Sequence, residues 1–134
     1  MPLLRLEHYL VLSEDIHATR DFYRDALGFT EGFRPALDFD GYWLYLGDTP
    51  CIHIGDWDQY EAWTARMGIP FSRKAPGTGP VDHIAFNASG YEEMLERLRR
   101  YGIEPDRNEL DDIGLKQLFL HDPNGVAIEL NFRA

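Results

Sequence analysis

The chain has 134 residues, 44% of them hydrophobic and 13% aromatic, which is enough apolar material for one ordinary domain or two small modules and too much for a disordered segment. Its 13 Lys and Arg stand against 23 Asp and Glu, a net charge of −10 that excludes nucleic acid and anionic membrane as partners, since both require basic surface. The single cysteine, Cys51, excludes an internal disulfide and suits a reducing, cytoplasmic setting.

The run from Leu3 to Leu12 is expected to be a strand and not a signal peptide, because Arg5, Glu7 and His8 interrupt it and no small-residue cleavage site follows. No apolar run approaches the roughly 20 residues of a membrane span. Ser13 or Asp15 can cap a first helix whose Ile16, Thr19, Phe22, Tyr23, Ala26 and Leu27 share a face, and Gly28 ends it. A weak strand is expected around Glu31–Phe39. A hairpin follows, Gly41–Leu46 and Pro50–Ile54, turned by Gly47-Asp48-Thr49, and then a short connecting helix over Asp56–Met67.

Residues 68–79, rich in Gly and Pro, read as a linker. The second passage opens with a strand carrying Asp82-His83. Ser89 and Glu92 form a predicted capping box for a helix with Tyr91, Met94, Leu95 and Leu98 as its buried stripe, ended by Gly102. A weak strand around Glu104–Leu110 precedes a second hairpin, Leu115–Leu120 and Val126–Phe132, turned by Asp122-Pro123-Asn124-Gly125.

The chain therefore repeats itself. Each half opens on an acid–His pair, Glu7-His8 and Asp82-His83, and continues through a turn, an amphipathic helix, a glycine and a short antiparallel meander. That is an α+β pattern of two modules, about residues 1–67 and 80–134.

Strand alternation locates the chemistry. On the last strand Val126, Ile128, Leu130 and Phe132 form an apolar face, while Glu129 shares the other with Ala127 and Asn131. His53 lies with Cys51 and Gly55, opposite Ile52 and Ile54; His83 with Val81, Ala85 and Asn87; His8 with Leu6 and Leu10. A lone strand histidine is more often a hydrogen-bonded structural residue than a ligand. The joint pattern carries the reading, because the repeat makes His8 equivalent to His83 and His53 equivalent to Glu129. Imidazole with carboxylate suits Fe, Zn, Mn, Co or Ni.

The segments EHYLVLSEDIHATRDFYRDALGF, VDHIAF and FLHDPNGVAIELNF resemble the vicinal oxygen chelate superfamily of glyoxalases, extradiol dioxygenases, fosfomycin-resistance transferases and bleomycin-resistance proteins. The resemblance spans essentially the whole chain and implies two βαβββ modules forming a curled mixed sheet around a central metal-binding cup. It implies His8, His83 and Glu129 as ligands of a divalent transition metal, with His53 at the place where some members carry a fourth ligand, Glu or Gln. Histidine there departs from the pattern, so a ligand, a base or a pocket residue are all open for His53. It also implies a homodimer and a small substrate with neighbouring oxygens, bound by bidentate chelation and converted through an enolate-like intermediate, by a lyase, an isomerase or a ring-cleaving dioxygenase. The alternative is a metal-free, ligand-sequestering protein of the bleomycin-resistance type. Weaker site candidates are Lys116, Gln117, Tyr42, Trp43, Tyr45, Arg34, Arg73 and Lys74. His17 and His121 read as solvent-facing and Cys51 as filling.

Overall fold

A computed structural model describes residues 2–69 and 76–133. Arg73 and Lys74, and part of the expected linker, lie outside them. The chain divides into two compact units, Met1–Lys74 and Ala75–Ala134.

In the first unit, β1 (Tyr9–Ser13) leads to α1 (Ile16–Asp21), which runs on into a π-helical turn, Phe22–Ala26. The strands β2 (Thr30–Gly32), β3 (Gly41–Leu46) and β4 (Thr49–Asp56) follow, then α2 (Trp57–Met67). The sheet order is β1-β4-β3-β2, with β1 parallel to β4 and the other pairs antiparallel. The second unit repeats this with β5 (Ile84–Ala88), α3 (Tyr91–Arg100), β6 (Asp106–Leu110), β7 (Leu115–His121) and β8 (Ala127–Arg133), in the order β5-β8-β7-β6. The result is α+β, two βαβββ patterns, each forming a four-stranded mixed sheet.

Residue chemistry explains the elements. Asp15 caps α1 by accepting the amide of Ala18 at 3.0 Å, while the Ser13 hydroxyl turns back to the buried Thr19 hydroxyl at 2.9 Å. The π turn forms where the Leu27 amide reaches five residues back to the Phe22 carbonyl. It places Tyr23 wholly inside, edge-on to Phe22 and Phe29. Both helices end at glycines in the left-handed region, Gly28 at φ 89° and Gly102 at φ 75°, as the sequence predicts. The inner face of each sheet is aliphatic: Leu44, Ile52 and Ile54 in one, Leu118, Ile128 and Leu130 in the other. Burial of each such side chain contributes about 1.5–3 kcal/mol.

Three expectations need correction. β1 starts only at Tyr9; Leu3, Leu4 and Leu6 stand in solvent, and the pairing with β4 begins at Tyr9 opposite Ile52. His8 and His83 each sit one residue ahead of their strand, and not inside it. The capping box at Ser89 does not form: Gly90, at φ 75°, is the N-cap of α3, and no side chain caps that end.

Candidate active site

Strand register confirms the equivalence that the repeat suggested. Leu10, two residues after His8, pairs with His53; Ala85, two residues after His83, pairs with Glu129. The third strand supplies an aromatic neighbour in both cases, Trp43 opposite His53 and Phe119 opposite Glu129. One scaffold position thus carries an imidazole in the first unit and a carboxylate in the second.

In the second unit the His83 Nε2 lies 3.5 Å from Glu129 Oε1. The other ring nitrogen, Nδ1, donates to Asp82 Oδ2 at 2.8 Å, which orients the ring and turns Nε2 toward Glu129. The acid beside the histidine therefore orients the ring. The same contact raises the His83 pKa, with Glu129 adding to it.

Glu129 is held from its other side. Asn131 Nδ2 donates to Glu129 Oε2 at 2.7 Å, Gln117 Nε2 donates to Asn131 Oδ1 at 3.0 Å, and Asn108 Nδ2 donates to Gln117 Oε1 at 2.9 Å. Asn108, Gln117 and Asn131 are cross-strand neighbours, so β6, β7 and β8 present a row of amides all donating in one direction, toward the carboxylate. The last bond of the row, from Asn131 to the carboxylate, is charge-assisted, and it leaves Oε1 to face His83. The alternation of β8 foresaw Asn131 beside Glu129. The chain of amides escaped sequence reading because it depends on the register of two strand pairs.

In the first unit, His8 Nδ1 donates to Glu7 Oε1 at 2.9 Å, the counterpart of the Asp82–His83 pair. The His8 ring stacks on His53 with centroids 3.7 Å apart, and His53 stacks on Trp43 at 3.9 Å. The Nε2 of His53 donates to the Pro50 carbonyl at 3.0 Å, so Nδ1 is its free nitrogen. Burial, and next the proximity of His8, lower the His53 pKa to about 4. His53 is therefore neutral near pH 7.

The weaker candidates separate by strand face. Tyr42 turns to the helix side, where it meets His17 at 2.6 Å and lies under Arg20. Tyr45 donates to the Phe33 carbonyl at 2.6 Å. Lys116 lies over the Tyr91 ring of α3, and Gln117 belongs to the amide row. Arg34 donates to the Phe39 carbonyl at 2.6 Å, and its buried Nε has no partner among the described residues. Cys51 is half-buried, and that burial pushes its thiol up.

Among the described residues no group of three or more His, Cys, Asp and Glu stands assembled as a metal cluster. The pair in the second unit nonetheless fits one ion. Two donors each bonded to a metal at about 2.0–2.2 Å are themselves about 3–3.5 Å apart, the separation at which His83 and Glu129 meet.

Comparison with known proteins places the chain in a family. The model of the Glyoxalase/Bleomycin resistance protein/Dioxygenase superfamily matches residues 5–130. A protein named Glyoxylase I 4 from Arabidopsis thaliana is 31% identical over 135 residues, covering 96% of this chain and 70% of its own length. The fold is similar to lactoylglutathione lyase from Agrobacterium tumefaciens, with a TM-score of 0.73 at 18% identity over 98% of this chain and 95% of that one. It is also similar to a fosfomycin resistance protein from Listeria monocytogenes, with a TM-score of 0.70 at 16% identity over 98% and 95%. No helix among the described residues is long and apolar enough to cross a membrane. The chain belongs to the glyoxalase/bleomycin resistance protein/dioxygenase superfamily.

Proposed function

We propose that this protein is a metal-dependent enzyme of the glyoxalase type, acting on a small substrate with two neighbouring oxygens, with His8, His83 and Glu129 as the metal ligands. The observation that carries the reading is the 3.5 Å approach of His83 Nε2 to Glu129 Oε1, each atom left free because Asp82 and Asn131 occupy the other end of its group. His8, with Nδ1 committed to Glu7, offers Nε2 in the same way. A divalent ion held by such donors supplies Lewis-acid polarisation of a carbonyl or hydroxyl oxygen.

The rest falls to the side chains. Asp82 keeps the His83 ring from turning, and the amide row holds the Glu129 carboxylate in place. His53 stands against His8 as a neutral imidazole, and Nδ1 is the atom through which it would bind the ion or take a proton. A histidine already neutral at pH 7 has no proton to release before either task. The 31% identity to a protein named Glyoxylase I 4 favours proton transfer beside a carbonyl over ring cleavage.

Turnover of the hemithioacetal of glutathione with a 2-oxoaldehyde, set against oxygen uptake with a catechol, tests the reaction class. Isomerisation that disappears in Glu129→Ala is the expected result. Oxygen uptake without isomerisation would make the protein a dioxygenase, and neither activity with any of the five metals would refute the enzymatic reading.

A further inference from the structure

The first unit holds a cavity of about 190 Å³ whose lining is mostly aromatic. One side is the stack of His8, His53 and Trp43. The other is a corner of Phe39, Tyr60 and Trp63. There Phe39 meets Tyr60 edge-on at 5.0 Å and Trp63 at 5.3 Å, and the last two are 5.7 Å apart. Leu10, Leu37 and Ile54 close the remainder. None of the residues lining this cavity is a Lys, Arg, Asp or Glu.

The space is built and held open. Gly55 gives Phe39 room to lie across the sheet, since a Cβ there would come within 3.1 Å of that ring. Arg34 fixes Phe39 by bonding its carbonyl and lying 5.1 Å over its ring. The helix α2, which carries Tyr60 and Trp63, is tied to the same stretch: Gln59 accepts the Asp40 amide at 2.8 Å and donates to the Asp40 carboxylate at 3.1 Å. Asp56 caps that helix through the Gln59 amide, and its own amide bonds the Asp40 carbonyl. These ties keep the two aromatic sides apart.

We infer that this cavity receives a planar aromatic ring, and that the substrate is a small molecule whose two neighbouring oxygens sit next to an aryl-bearing carbon. The size suits it, as roughly 150 Å³ of apolar cavity is enough for a benzene ring. Ring faces and edges on two sides supply the stacked and edge-on contacts that aromatic groups favour. A carboxylate or ammonium placed here would lose its water and find no opposite charge. His8 belongs both to this lining and to the proposed metal site, which puts the oxygens at the histidine end. The assignment of the oxygens rests on the metal reading above; the preference for a ring does not.

Tryptophan fluorescence of the full chain, stripped of metal with a chelator, reads occupancy directly, because Trp43 and Trp63 line the cavity. The probes are 1-phenylethane-1,2-diol and propane-1,2-diol, which share the two oxygens and differ in phenyl against methyl. The phenyl diol is expected to bind about tenfold or more tightly. Trp63→Ala should weaken it about fivefold or more. Leu37→Trp, at a position 39% exposed that tolerates a larger side chain, should fill the space and abolish the preference. Equal binding of the two diols, or a preference untouched by Leu37→Trp, overturns the proposal. Repeating the titration with added zinc separates the two claims. Tightening of both diols by one common factor supports the placement of the oxygens. No tightening removes the metal reading and leaves the ring pocket standing.

Discussion

The two units place different chemistry on the same scaffold. On the helix-facing side they agree, with aliphatic residues at alternate positions of β4 and β8. On the opposite side the first unit carries rings and glycines, and the second carries amides and charges. The Gly41–Gly55 pair of the first occupies the register position of the Gln117–Asn131 pair of the second. Gly55 leaves space that Phe39 covers, while amides at the matching register form a row that ends on Glu129. A packed core constrains one face of a duplicated sheet. The other face is free to become an apolar pocket in one copy and a polar network ending on a carboxylate in the other.

The contrast breaks most sharply at Gly41. A Cβ at that position would fall on the Ile54 carbonyl oxygen, so Gly41→Ala must push β3 from β4. A loss of about 3 kcal/mol is expected, measured by urea denaturation. In the second unit the sensitive property is affinity and not stability. Asn131→Leu removes the donor to Glu129 Oε2, and zinc affinity measured by calorimetry should fall about tenfold with the circular dichroism spectrum intact. Gly55→Ala is milder than Gly41→Ala because its neighbour is a side-chain ring. It should cost about 1 kcal/mol and weaken the phenyl diol while leaving zinc affinity unchanged.

The smallest effect concerns charge. The Arg99 guanidinium holds the Glu104 carboxylate below its ordinary range. A carboxylate with a depressed pKa in the folded state contributes stability above its unfolded pKa and loses it as pH falls through the folded value. Replacing Glu104 with Gln should therefore leave the Tm nearly unchanged in strong acid, where the carboxylate is protonated, and lower it slightly at neutral pH.

Much of this was legible in the sequence, for reasons that are local. Alternation in Val126–Phe132 identified Glu129 as the polar interruption of a buried strand, and the burial pattern of β8 follows it. Asp122 buries its carboxylate beneath the predicted turn, accepting the amides of Asn124 and Val126. Features that depend on which strands pair were not legible. The amide row needs the register of β6 on β7, and the stacking of His8 on His53 needs β1 laid parallel to β4. The aromatic cavity needs α2 to fold back toward Asp40, a contact made by Gln59, which has no distinguishing sequence context. The Ser89 cap failed because the glycine after it took a positive φ that side chains seldom adopt.

The central claim is that His83, oriented by Asp82, and Glu129 bind a divalent ion. Zinc titration of the full, chelator-treated chain by calorimetry tests it most directly, run beside Glu129→Ala and His83→Ala. The account predicts saturation at about one ion per chain, abolished in both variants. Saturable binding that survives in Glu129→Ala and His83→Ala, or no saturable binding in the unaltered chain, would contradict it.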